Sequence, residues 1–511
     1  MIAVTVGVGA HYELALIASK LFQEATGITA HILTEEHLQR AGCSSAQVLR
    51  FHLFDIFPDA QKIIYFDADL FFHRKWHPED VFRQCGTKIG AVRDINYGHP
   101  IIADFVETMG RAPGDYVNTG LLFLQRAHAD LLKTMSAMFP VTAWRSPFMD
   151  QASMNALLRG MDIPVHYLPR VYNWVENSKN FAQVHGIPII GFHKYKTLQS
   201  PQDQIAQFRS SSFPPEGEGP LLEAYQEYSG VYEYWVDGVF SRHIELRPDG
   251  TMGAGARRLE ASWAVKADGL ISIIGLRSFL EPAIEFCLCD LRQNGDSFEG
   301  TWDYFEKFDV SLRRTEEGPK VSSVSGRAEV IAKLLQSVVG IGSPCRVAEL
   351  GVYRGDLSEY LLSMFPELEL TLVDVWSQQG FSPGYLLSGD DVAVQPEAQL
   401  KANMCEAIQK VSFASHRVRV WKTRTYDAAS WFPEARYDLV FIDADHSYSA
   451  VVQDILAWYP RVRSGGILSG HAYLYPEKFG GDVARAVDEC VERFGLELHL
   501  EDDYVWWVKK P

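Results

Sequence analysis

Apolar positions fall into two rhythms along the chain. In residues 1–210, short uninterrupted apolar runs alternate with stretches of helical spacing. MIAVTVGV, ITAHIL, KIIYFDADLFF, KIGAVRD and YVNTGLLFL read as strands, several apolar on both faces, while LALIASKLFQEA and DQASMNALLRG repeat apolar residues at helical intervals. That alternation predicts a doubly wound α/β sheet. The rhythm returns in residues 325–511 with RVAELGV, LELTLVDVW, YDLVFIDAD and GGILSGHAY, separated by the helical DLSEYLLSMF and AVVQDILAWYP. Between them, RHIELRPDGTMG, ASWAVKADGLISII and EFCLCDLRQNGDSFEGTW are strand–turn–strand units with PDG, ADG and NGD as turns. This stretch predicts a small antiparallel β-unit. Polar segments at 200–220 (SPQDQIAQFRSSSFPPEGEGP) and 315–326 (TEEGPKVSSVSG) mark the joints. The expectation is an α/β multidomain chain of three units, 1–210, 218–315 and 325–511.

Length agrees, since 511 residues at about 150 per domain gives about three. Charge narrows the partners. With 48 Lys and Arg against 65 Asp and Glu, the net charge is −17, which argues against a general nucleic-acid or anionic-membrane binder. An anionic small molecule would need a metal ion or a nest of backbone N–H groups. Seven cysteines are too few for a disulfide framework. Cys287 and Cys289 alternate on a predicted strand, so they are expected on one face and form no redox CxxC. No basic leader precedes an apolar segment at Met1, and no apolar run reaches membrane length. The expected address is the cytoplasm, and a homo-oligomer is left open.

Asp67-Ala68-Asp69 closes the apolar run 62–66, which places two carboxylates at the ligand-binding edge of an open sheet. Carboxylates one residue apart suit Mn²⁺ or Mg²⁺, hard cations that also grip diphosphate. Alone the pattern is weak. Its surroundings, SSAQVLRFHLFDIFPDAQKIIYFDADLFF, resemble the nucleotide-sugar half of GT-A glycosyltransferases, particularly glycosyltransferase family 8. Tyr116-Val117-Asn118-Thr119-Gly120, Met149-Asp150-Gln151, Leu168-Pro169 with Asn173-Trp174, and Gly191-Phe192-His193 follow in family order. The resemblance implies a GT-A (Rossmann-like) unit that takes a UDP-linked sugar and retains anomeric configuration. It makes Asp67, Asp69 and His193 metal ligands and brings Arg50 to the nucleotide. The loop Gly7, Val8, Gly9 and Ala10 would flank the base. Asn118, Asp150 and Gln151 would line the donor sugar, with Gln151 nearest the anomeric carbon. The family's lysine segment departs here to His193-Lys194-Tyr195-Lys196-Thr197, so Lys194 or Lys196 reaches the diphosphate, or neither does.

RVAELGVYRGDLSEYLL is strand, glycine turn, helix. Gly351 and Gly355 let backbone approach a ligand at a helix N-terminus. Asp374 follows Gly351 by 23 residues, a distance suited to a ribose diol. Together these resemble class I S-adenosylmethionine-dependent methyltransferases, which implies that Glu349, Gly351 and Gly355 hold the methionine end and Asp374 the ribose. An NAD-type Rossmann site is the competitor, but the spacing fits G-x-x-x-G better. YDLVFIDADHSYSAVVQDILAWYPRVRSGGILSGHAY resembles sugar O-methyltransferases of the macrocin type. By that resemblance Asp443 lies by the cofactor or a metal, and His446 acts as base, suited by an imidazole neutral near pH 7. Related sequences often carry aspartate where this chain has Ala472, which cannot ligate. A second divalent ion would use His471 and Asp443, or methyl transfer needs none.

The middle unit has no motif that translates into chemistry. Tyr232, Tyr234, Trp235, Trp263 and Trp302 could form a carbohydrate platform but more often make a sheet's own core. The unit reads as a spacer or docking module. The expected whole is a bifunctional enzyme of glycan biosynthesis, handling a nucleotide sugar and a glycan acceptor. The alternative is a methyltransferase whose degenerate first unit only binds glycan.

Overall fold

A computed structural model describes residues 1–43, 45–95, 116–138, 149–161, 163–176, 186–194, 222–256, 260–277, 284–304, 306–316, 326–340, 342–386, 390–474 and 481–511. The α/β multidomain architecture expected from the pattern is the one observed. Its first part holds β1 (Ile2–Val6), β2 (Ala30–Leu33), β3 (Lys62–Phe66), β4 (Leu70–Phe72), β5 (Ile89–Arg93), β6 (Val117–Gln125), β7 (Val165–Leu168), β8 (Trp174–Glu176) and β9 (Gly191–Lys194). Six form a sheet in the order β2-β1-β3-β6-β5-β7, and three form a small sheet, β4-β9-β8. The large sheet is mixed, because β6 runs antiparallel to both β3 and β5.

The apolar run 62–72, which reads as one strand, is two. Asp67 donates its N–H to Gly120 and accepts from Leu70 N–H, and this turn sends β3 and β4 into different sheets. Both carboxylates of the motif therefore sit at the seam. In the small sheet Leu70 lies opposite His193, so the backbone of His193 comes one residue from Asp69.

The middle part is a single antiparallel sheet of β10 (Gly230–Val236), β11 (Val239–Leu246), β12 (Glu260–Val265), β13 (Ile271–Arg277), β14 (Ile284–Asn294), β15 (Ser297–Tyr304) and β16 (Glu306–Arg314). Its order is β11-β10-β16-β15-β14-β13-β12. Tyr232, Tyr234 and Trp263 are buried, as core residues should be, whereas Trp235 and Trp302 are half-buried. A register slip separates Cys287 from Cys289, so Leu288 and Cys289 are both buried and the expected alternation fails there. All seven cysteines are free thiols.

The apolar cluster of the first part continues into this sheet without a break, from Phe22, Trp76 and Trp174 to Tyr225, Trp263 and Leu288. A buried ion pair crosses the same junction, with Arg93 Nε 2.8 Å from Asp249 Oδ2. Burial would raise the Asp249 carboxyl, but Arg93 holds it below the ordinary range. Arg93→Leu should strip that buried carboxylate of its closest cation at a cost of about 3–5 kcal/mol. Thermal unfolding followed by circular dichroism checks this; an unchanged midpoint would mean that water reaches Asp249.

The last part contains β17 (Cys345–Leu350), β18 (Leu368–Asp374), β19 (Val418–Lys422), β20 (Tyr437–Ile442), β21 (Val462–Gly470), β22 (Leu498–Leu500) and β23 (Trp506–Lys509). The order β19-β18-β17-β20-β21-β23-β22 is parallel until β23, which runs antiparallel to β21. From β17 the chain winds outward through β18 and β19, then returns to the other side through β20. The crevice at the ends of β17 and β20 is thus the switch point, where open α/β sheets bind ligands. Among the described residues, no helix is long and apolar enough to cross a membrane.

Candidate active sites

The first site gathers at the ends of β3 and β6. Arg50 is buried and divides its guanidinium: Nη1 donates to Thr119 Oγ1 at 2.9 Å, and Nη2 meets Asp67 Oδ1 at 3.1 Å. Tyr65 donates its hydroxyl to the same Oδ1 at 2.7 Å, and no described residue bonds the other oxygen of Asp67. Gln151 Oε1 accepts the Thr119 N–H at 3.1 Å. Asn118 Oδ1 accepts from Gly120 N–H at 2.9 Å and from Asn173 Nδ2 at 3.0 Å. Asp69 is 3% exposed. Arg50, Asp67, Asn118 and Gln151, which span a hundred residues of sequence, therefore converge around Thr119.

At the end of β1, Gly7 donates to Leu33 at 2.8 Å, and a Cβ there would lie 2.6 Å from that of Ala15. Glycine is needed there for the strand to pack on the helix Tyr12–Thr26. Val8 is half-buried, Gly9 gives its N–H to Glu35, and Ala10 is exposed. Asp150 opens the helix Met149–Gly160, but its side chain, like that of His193, lies outside the described residues, as does all of Lys196. Two carboxylates one residue apart at this seam are chemically suited to a hard cation.

The second site is a cavity of about 350 Å³ at the switch point, lined by Glu349, Gly351, Asp374, Asn403, Asp443 and His446 among others. Gly351 has φ +86°, and a Cβ there would lie 2.0 Å from the Asp443 carbonyl, so only glycine lets β17 and β20 part around the crevice. Asp374 accepts N–H groups from Val352, Tyr353 and Trp376 at 2.8 to 3.0 Å, which leaves acceptor capacity for a diol. Glu349 is buried, and desolvation pushes its carboxyl up to about 8 despite a 2.6 Å hydrogen bond from Ser358. Two acids among apolar lining residues such as Val352, Leu357 and Leu400 are chemically suited to a ligand carrying an ammonium and a ribose.

Beside it stands a charged cluster. Asp443 Oδ1 lies 3.3 Å from His446 Nε2 and 3.2 Å from His471 Nδ1, while Oδ2 takes Arg327 at 2.6 Å. The other nitrogen of His446, Nδ1, lies 3.3 Å from Asp390. Burial alone would raise Asp443, but Arg327 and then His471 hold it well below the carboxylate range. Burial would lower His446, yet Asp390 and Asp443 outweigh it and push the imidazole up to about 9. The sequence reading of a neutral imidazole near pH 7 is therefore corrected: between two carboxylates the ring holds its proton. Ligand atoms of Asp443, His446 and His471 lie within 4.8 Å of one another, close enough to share one ion.

The sequence alone gives Asp390, Arg327 and Thr119 no role. Thr119 lies inside a quoted motif, so a signal existed. Arg327 and Asp390 reach the cluster from 116 and 56 residues away and carry none.

Comparison with known proteins matches two regions of the chain. Residues 11–192 match the model of glycosyl transferase family 8, and residues 348–473 match a model described as methyltransferase domain. The chain accordingly carries glycosyltransferase and methyltransferase activities. No curated protein matches it. Similar solved structures include the galactosyltransferase LgtC in complex with donor and acceptor sugar analogues, 16% identical over 42% of this chain and 98% of that one, TM-score 0.31. The O-methyltransferase NovP is 20% identical over 36% of this chain and 79% of its own, TM-score 0.27. TomG from Streptomyces achromogenes, an O-methyltransferase, is 12% identical over 37% and 82%, TM-score 0.26.

Proposed function

With a glycosyltransferase region and a methyltransferase domain in one chain, we propose a bifunctional cytoplasmic enzyme that builds a methylated glycan. The first unit transfers a sugar from a UDP-linked donor with retention, and the last methylates a sugar hydroxyl. The observation that carries the reading is the convergence of Arg50, Asp67 and Gln151 around Thr119 at the carboxylate seam. Asp67, Asp69 and His193 would hold Mn²⁺ or Mg²⁺, whose charge stabilises the leaving diphosphate. Arg50 steadies Asp67 and stands by the nucleotide, and Gln151 and Asp150 would line the donor sugar. The engagement of Asp67 by Arg50 favours a second reading, a first unit that only binds glycan, since a paired carboxylate grips a cation less firmly. Incubating the protein with UDP-sugars and Mn²⁺ decides between them: UDP release supports transfer, and glycan binding without turnover supports the alternative.

In the last unit, S-adenosylmethionine supplies the methyl group as an electrophile. Glu349 faces its ammonium, Asp374 the ribose, and the turn from Gly351 to Gly355 brings backbone to the ligand. His446, once it has shed its own proton, takes the proton of the sugar hydroxyl. A divalent ion on Asp443 and His471 would orient that hydroxyl and, by neutralising Asp443, loosen the proton on His446. Glu349 offers a test free of turnover. Protonated at pH 7 by a pKa near 8, it must ionise to pair with an ammonium. Binding of S-adenosylhomocysteine should therefore release up to about one proton and strengthen as pH rises. Calorimetry in buffers of different ionisation enthalpy measures this; equal proton release in Glu349→Gln would place the acid elsewhere.

A further inference from the structure

We infer that the middle β-unit is a working support of the methyltransferase cofactor site, acting through Glu359 as a positioning residue. Two helices wall the cavity, Asp356–Met364 and Glu397–Val411, which contribute Asp356, Leu357, Leu400 and Asn403. Both are tied to one corner of the middle sheet. Gly255 donates its N–H to Glu359 Oε1 at 3.2 Å, and Gln409 Nε2 donates to the Glu260 carbonyl at 2.8 Å. The corner is itself braced, because Arg242 donates to the Gly255 carbonyl at 2.9 Å and to Glu260 Oε2 at 2.7 Å. Arg242 and Glu260 are both buried, so the brace is shielded from water.

The first turn of the helix Asp356–Met364 faces two ways. Ser358 reaches inward and donates to Glu349, the acid at the methionine end of the cavity. The next residue, Glu359, reaches outward to Gly255. One step along the backbone thus separates the group that sets Glu349 from the group held by the middle unit. The helices also press on each other at this level, where a Cβ on Gly355 would lie 2.9 Å from Ala407 Cα. A rigid external corner holding both helices keeps their separation, and with it the width of the cavity, set before ligand arrives.

The inference rests on the assignment of the cavity to S-adenosylmethionine, and the experiment separates the two. S-adenosylhomocysteine is titrated into the full chain by calorimetry. Failure of the wild type to bind would overturn the cofactor assignment. If it binds, Glu359→Ala should weaken binding at least about fivefold, and Glu359→Gln, which keeps an acceptor for Gly255, should restore it. Gly255→Ala perturbs the corner from the other side, since its Cβ would lie 1.9 Å from the His243 carbonyl. It should weaken binding likewise while UDP release by the first unit is unchanged. Gln409→Ala serves as a milder variant where a substitution prevents folding. Wild-type affinity in folded Glu359→Ala, or no rescue by glutamine, would overturn the inference.

Discussion

Asp69→Asn is expected to abolish sugar transfer while methylation of a supplied glycosylated acceptor continues at the wild-type rate. Asp69 is 3% exposed at the seam between β3 and β4, beside the backbone of His193. The substitution keeps shape and removes charge, so it tests ligation rather than packing. A neutral amide binds a hard cation far more weakly than a carboxylate. Metal stabilisation of a leaving group is worth several kcal/mol, so a loss on the order of 10³-fold follows from about 1.4 kcal/mol per decade. Chelation of the wild type should have the same effect. The methyltransferase cavity is built from a different sheet and should be indifferent. Loss of both activities in a folded variant would sink the two-site assignment, and full transfer in EDTA would remove the metal.

His446→Ala should lower methyl transfer by about 10²–10⁴-fold, the usual worth of a general base, with little change in S-adenosylhomocysteine affinity. The pH profile carries the sharper information. Held up to about 9 by Asp390 and Asp443, His446 is protonated at neutral pH and cannot accept a proton until it loses its own. In chelator, methyl transfer should therefore rise with pH by about tenfold per unit and level off near that value. A divalent ion that draws on Asp443 should move the rise to lower pH. Asp390→Asn removes one of the two carboxylates and should move it the same way. If rates stay flat with pH and the alanine variant methylates normally, His471 becomes the residue to test.

Much of this architecture was legible because buried strands announce themselves as apolar runs. The carboxylates of Asp67, Asp69 and Asp443 stand out because each closes such a run. What the pattern could not show was the break inside 62–72, since residues on both sides of the motif are equally apolar and only the pairing with β9 separates them. The strand β16 is not legible for a related reason. GVYEYWV alternates and pairs locally with β11, but its other partner, β16, lies 74 to 82 residues away, and no local signal links the two. Arg327 and Asp390 were invisible because a lone charge in a loop or at a helix start has no period. Protonation of His446 is only half legible: Asp443 stands three residues away, but Asp390, the second carboxylate, comes from distant sequence.

The continuous apolar cluster from Phe22 to Leu288 bears on how such a chain can be divided or rearranged. A cut at the second joint, 315–326, leaves that core whole, but severs polar ties such as Gly255 to Glu359 and the apolar packing of Tyr116 on the last part. A cut at the first, 200–220, would strand Tyr225 and Trp263 from the members of their cluster in the first part, such as Trp76 and Trp174. In lineages that shuffle these parts, the first two should travel together and the methyltransferase should be the part gained or lost. When it is gained, the fit must be made at Gly255 and Glu260 and around Tyr116, so compensating changes on the two sides of those contacts are where a history of joining would be written.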